Sequence, residues 1–162
     1  MTEEIDRRIA ELCHPEPRVR CSALMELAEQ DDVPLPPLHT ALRDTDLAVR
    51  GCAAFALSKI GDESSLPELV DAWRSSRPEE THLRRQILIA LSDVGDTKWL
   101  AQVVERFGDW PAELQELVFD QVASDSGPDA ERLLAILDAQ ALSPPVRSAV
   151  TAARAHRAVR RS

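Results

Sequence analysis

The chain of 162 residues predicts an all-α fold: a right-handed α-solenoid of about five stacked antiparallel helix pairs. Three observations predict it. Similar helical segments recur at near-constant spacing, amphipathic stripes lie between them, and turn residues separate one from the next. "VRCSALMELAEQD" begins at Val19, "VRGCAAFALSKIGD" at Val49 and "LRRQILIALSDVGD" at Leu83, at spacings of 30 and 34 residues. Weaker copies begin at Leu114 ("LQELVFDQVASDSG") and Val146 ("VRSAVTAARAHRAV"), after a further 31 and 32 residues.

The elements follow in order. Residues 3–12, with Ile5, Ile9 and Leu12, read as the second helix of a truncated leading unit. The recurring segments predict first helices over 16–29, 47–60, 79–94, 112–124 and 144–160. Between them Leu35, Leu38 and Leu42, then Leu66, Leu69, Val70 and Trp73, each form one apolar stripe. Leu100, Val103, Val104 and Phe107, then Leu133, Leu134 and Leu137, do the same. These predict second helices over 34–43, 64–74, 98–107 and 129–139, with Trp73 in the core. The chain is read as a single domain, 1–162, with units 1–13 (a half unit), 14–43, 44–77, 78–108, 109–140 and a capping helix at 141–162.

Turn chemistry agrees with this division. Gly61-Asp62 and Gly95-Asp96 each offer a left-handed residue followed by a side chain able to cap the next helix, and "SGPD" at 126–129 is a variant. Prolines cluster between helices or in their first turns, where a missing amide costs least. No strand pattern appears.

Composition narrows the function classes. Five glycines, three Phe, three Trp and no Tyr against 44% apolar residues suit a helical chain. No run of 18 apolar residues occurs, and the N-terminus is charged from its third residue, so neither a membrane span nor a signal peptide is expected. Cys13, Cys21 and Cys52 form no paired framework; they are read as reduced thiols, and the cytoplasm is the expected location. From Ser143 onward there are five arginines and no acid, which leaves 28 acids against 14 Lys and Arg before it. Such a body repels nucleic acid and anionic membranes and attracts basic protein surfaces. The terminal run Arg147, Arg154, Arg157, Arg160 and Arg161 is read as a solvated, dipole-complementing helix end.

"DTDLAVRGCAAFALSKIGDESSLPELVDAW" resembles a HEAT repeat of the short bacterial type named after the phycobilisome lyases. The likeness lies in the Val-Arg, the Gly-Asp turn and the Leu-Pro-x-Leu helix start. It is closest over residues 14–107 and looser beyond. The resemblance implies a surface lined by second helices, used for protein binding. Once each apolar stripe is subtracted, that surface has an exposed row: Pro37 and Thr40, Glu68 and Asp71, Gln102 and Glu105, Arg132 and Ala135. Its acidic centre predicts a partner with a basic or mixed surface. Trp99 and Trp110 align with Ser65 and Thr45, positions that are not apolar elsewhere, and are candidate contact residues.

Several alternatives are carried by likeness alone. An immunity or inhibitor protein would use the same acidity against a basic toxin, and an accessory subunit resembling the phycobilin lyases would handle a tetrapyrrole. HEAT-like DNA glycosylases need a cationic surface where this chain has Glu68, Asp71 and Glu105. The His-Glu dipeptides that hold iron in HEAT-type hydroxylases are missing, and Cys13, His14 and Cys21 lack the further Cys-x-x-Cys of a zinc deaminase. No cofactor, metal or catalytic residue is predicted.

One position remains odd. Arg20, Arg50, Arg84 and Arg147 share a register in the first turn of their helices, where the helix dipole disfavours a cation. Acids precede them, notably Asp44 and Asp46, and Glu79 and Glu80 one unit on. The resemblance implies an Asp–Arg ladder between stacked units, weakened where Gln115 replaces the arginine.

Overall fold

Why the helices begin and end where they do can be followed residue by residue in a computed structural model. It describes residues 2–94, 99, 103, 107–124, 134, 135, 137, 142, 144 and 146–152. The predicted turns at Gly95-Asp96 and 126–129 lie outside the described residues, as do most of the predicted helices 98–107 and 129–139 and the run from Ala153 to Ser162. The chain divides into two compact units, Met1–Gly95 and Asp96–Ser162.

In the first unit α1 spans Thr2–Glu11, α2 Pro17–Leu27, α3 Leu35–Ala41, α4 Leu47–Ile60, α5 Leu66–Ser75 and α6 Thr81–Val94. The proline at the start of α2 sits where its missing amide has no intrahelical partner to lose. Leu35 follows Pro34, and with two further prolines in its first turn α3 is the shortest of these helices. At α4 both ends are specified by side-chain chemistry. Asp46 Oδ1 accepts from the amides of Ala48 and Val49 at 2.9 and 3.3 Å, while Gly61 takes the left-handed conformation (φ 69°) and donates its amide to the Leu57 carbonyl. Asp62 then accepts from the Ser64 amide at 2.8 Å, so it caps a 3-10 turn, Glu63–Ser65, that leads into α5.

The first helices α2, α4 and α6 form one layer, with α4 packed against both of the others; α3 packs on α4 and α5 on α6. A helix covered from two sides must be apolar over most of its circumference. Accordingly α4 buries Val49, Ala53, Ala54, Ala56 and Leu57, and the three alanines leave room for close neighbours. Ala23, Leu24 and Leu27 are the buried residues of α2; Ile87, Leu88 and Leu91 are among the buried residues of α6. The second helices bury one side only: Leu38 and Ala41 in α3, and Leu69, Val70, Ala72 and Trp73 in α5.

In the second unit α7 spans Ala112–Ser124, preceded by a 3-10 turn at Phe107–Asp109. Trp99, Val103, Phe107, Leu114 and Val118 are buried there, and residues 146–152 are helical. All described regular structure is helical, and no described helix is long and apolar enough to cross a membrane.

Candidate functional site

The first-turn arginines are explained by their reach. Side chains on a helix lean toward its N-terminus, so a long donor in the first turn meets the carbonyls of the preceding loop. Arg20 Nη1 donates to the carbonyls of His14 and Pro15 at 2.7 and 3.0 Å, while Nε and Nη2 form a two-pronged pair with Asp44 Oδ2 and Oδ1 at 2.8 Å each. Asp44 stands in the turn before α4 and also accepts the Asp46 amide at 2.8 Å. Burial opposes ionisation of Asp44, but the Arg20 guanidinium and that amide outweigh it and hold its carboxyl below the usual range. One side chain of the first repeat is thereby tied to its own entry loop and to the start of the next repeat.

Arg50 makes the equivalent contact less completely. Its Nη2 donates to Glu80 Oε1 at 3.2 Å, while its Nε is buried without a hydrogen-bond partner among the described residues. Glu80 divides itself, accepting also from Arg77 Nε and from the Arg77 amide at 3.0 Å each. Burial raises the Glu80 pKa, and the Arg77 amide, Arg77 and Arg50 together bring it below the ordinary value. Glu79, in contrast, stays exposed and comes within 3.8 Å of Arg77. Arg84 is buried with its guanidinium 3.9 Å over the Trp73 ring, a cation–π arrangement. Desolvation lowers its pKa, partly countered by the charge of Glu80.

Two expectations are corrected, those for Asp46 and for the Trp99 and Trp110 pair. Asp46 is the cap of α4, not a rung: being next to the helix, it is taken by the free amides, while Asp44, two residues further out, is within reach of Arg20. Gln115 takes the register position of the arginine without its charge. It is buried and donates from Nε2 to the carbonyls of Phe107 and Trp110 at 3.2 and 3.0 Å. Pro15, Trp110 and Leu142 each lie five residues before the side chain that donates to them, Arg20, Gln115 and Arg147 respectively. Glutamine therefore keeps the loop-closing half of the role and drops the charge. Finally, Trp99 and Trp110 are only 2% and 7% exposed, so neither offers a contact surface. Trp110 packs against Phe107 with ring centroids 4.9 Å apart, and Trp99 shares a four-residue spacing with buried Val103 and Phe107. Ser65, with which Trp99 aligns, is itself fully buried.

The second helices carry the exposed row. Thr40 and Asp71 are exposed, Pro37 and Glu68 half-buried, and Ala135 exposed; Gln102, Glu105 and Arg132 lie outside the described residues. Within the first unit this face is mixed in charge and not simply acidic. Arg43 pairs with Glu68 at 2.6 Å and lies 4.0 Å from Asp71, which Arg74 approaches to 3.9 Å. Beneath the surface His39 Nε2 meets Ser65 Oγ at 2.9 Å, so α3 and the entry to α5 are linked by both a polar and an ionic contact.

A second surface feature had no reading in the sequence. An open cleft of about 710 Å3 lies beside the α2–α3 connection, with Glu29, Asp31, Asp32, Asp62 and Lys59 among its lining residues. Asp32 holds a positive φ of 56°, the left-handed region tolerated by Asp in tight turns. The acidic run at 29–32 and the Gly61-Asp62 turn were both visible in the sequence, but only stacking brings them to one cleft. Among the described residues no group of His, Cys, Asp or Glu is arranged to hold a metal ion.

Stacked helix pairs with a repeated first-turn donor and a repeated exposed second-helix row define an α-solenoid repeat protein. Residues 5–82 match the family model of HEAT repeats, so that stretch is built of HEAT repeats. HEAT repeats serve in general as protein-interaction modules. A search of curated proteins finds no match to the chain.

Proposed function

We propose that this protein is a non-enzymatic adaptor that binds a protein partner of basic or mixed surface through the face lined by its second helices. One observation carries the reading. Thr40 on α3, Arg43 just after it, and Asp71 and Arg74 on α5 stand exposed in succession, and Arg43 pairs with Glu68 across the two helices. Glu68, Asp71 and Glu105 are the proposed acidic contacts on this face and Gln102 a neutral polar one, with Arg43 and Arg74 giving the partner acceptable positions for acids as well as bases. The net charge of −9 supports electrostatic steering of a basic partner, including a basic toxin held by an inhibitor.

Affinity capture with wild type and with Glu68→Lys/Asp71→Lys tests it. A partner held by wild type should be retained at least about tenfold less well by the double variant, since charges at an interface centre are strongly coupled to affinity. Reversal of Asp31 and Asp32 in the cleft should leave capture unchanged. If the cleft variant loses the partner and the Glu68/Asp71 variant keeps it, the binding face is wrong.

A further inference from the structure

Two of the three cysteines, far apart in sequence, meet where the first two repeats stack. Cys21 follows Arg20 on α2, and Cys52 sits two residues beyond Arg50 on α4. Aligned helices in adjacent repeats bring neighbouring register positions face to face, and the two Sγ atoms lie 2.8 Å apart with no bond between them. A disulfide needs about 2.05 Å between sulfurs, so closure requires less than an ångström of movement. Both residues are only half-buried, so a small reagent can reach them. Burial and the neighbouring thiol push Cys21 up to about 12, so little of its thiolate is present at neutral pH and exchange through it is slow.

We propose that Cys21 and Cys52 form a reversible intramolecular disulfide, an oxidative clamp between α2 and α4, when the chain meets a low-molecular-weight disulfide. The exchange balances in two steps. One cysteine, as its thiolate, attacks a sulfur of the small disulfide R–S–S–R, making a mixed disulfide and releasing one RS⁻. The second, as its thiolate, attacks the protein sulfur of that mixed disulfide and displaces the other RS⁻. The two protein thiols lose two protons and two electrons, and the small disulfide leaves as two thiols. The clamp lies beside the Arg20–Asp44 pair, so it secures the junction that this pair already orders. The α4/α6 junction has no such cysteine pair among the described residues.

The folded full-length chain is treated with oxidised glutathione, then alkylated with iodoacetamide after denaturation, and its intact mass and peptides are read. The reduced protein takes three alkyl groups, one per cysteine. The oxidised protein should show the Cys21 and Cys52 peptides cross-linked, Cys13 as the position left for alkylation or glutathione, and full reversal by dithiothreitol. Thermal unfolding of oxidised wild type and of oxidised Cys13→Ser should shift upward by several degrees, and that of Cys21→Ser should not. Separate glutathione adducts on Cys21 and Cys52, continued alkylation of both, or intermolecular dimers in Cys13→Ser would each overturn the proposal.

Discussion

Arg20 and Arg50 stand at the same register position of successive repeats and are held very differently. Arg20 has hydrogen bonds on all three of its nitrogens, two to one carboxylate and two to loop carbonyls. Arg50 has one bond of 3.2 Å to a glutamate that Arg77 also uses. The difference follows from the acid. A short aspartate fixed by a neighbouring amide presents both oxygens to the guanidinium fork, whereas Glu80 is buried at the start of α6 and folds back on its own turn. Equal register therefore does not mean equal strength. The α2/α4 junction carries the two-pronged pair, and the α4/α6 junction the single longer bond, with Ile87, Leu88 and Leu91 buried on α6.

The largest expected effect calibrates this contrast. Leu57 is fully buried in α4, and Leu57→Ala should cost on the order of 2–5 kcal/mol in chemical denaturation; a loss below about 0.5 kcal/mol would place Leu57 outside the core. Next, Arg20→Ala should lower the melting temperature by about 5 °C, because it strands Asp44 and two carbonyls at once. Arg50→Ala should cost about 2 °C, since Glu80 keeps Arg77 and its amide. Equal losses would erase the contrast between the rungs.

Acid offers a third approach. The carboxyls of Asp44 and Glu80 sit below their ordinary values in the folded chain, so their stabilising contribution is complete above the unfolded carboxylate range and is lost as pH falls through the folded values. Melting temperatures recorded from pH 7 downward should stay level until about pH 4 and then fall. In Arg20→Ala that fall should be shallower, because Asp44 no longer titrates against a guanidinium. The smallest effect belongs to the exposed pair: Arg43→Ala should move the melting temperature by about 1 °C or less. A larger shift would assign that face a structural role.

Much of the fold is legible in the sequence alone. Helix placement followed from the Val-Arg starts, the Gly-Asp turn and the apolar stripes, because each is a local signal. What escaped depended on neighbours. Asp44 and Asp46 are two residues apart and chemically identical, and only their distance from the first free amides separates rung from cap. Trp99 aligns with a serine, which predicts a contact residue, yet Ser65 is buried too, so polarity is a poor guide to position there. Gln115 looked like a missing charge but retains the donor geometry that the loop needs. Cys21 and Cys52, and the acids around the α2–α3 cleft, come together only through stacking, which leaves no spacing motif. The exposed row was read from helix periodicity alone, and Arg43 and Arg74, interleaved with its acids, change its charge from acidic to mixed.

The central claim is that a first-turn arginine couples one repeat to the entry of the next, and strongly only where its acid is free to answer both prongs. A double-mutant cycle measures this directly, with Arg20→Ala and Asp44→Ala compared against Arg50→Ala and Glu80→Ala, singly and together. The account predicts a clear favourable coupling for Arg20 with Asp44 and one at most half as large for Arg50 with Glu80. Additive losses at Arg20 and Asp44, or a stronger coupling at Arg50 and Glu80, would contradict it.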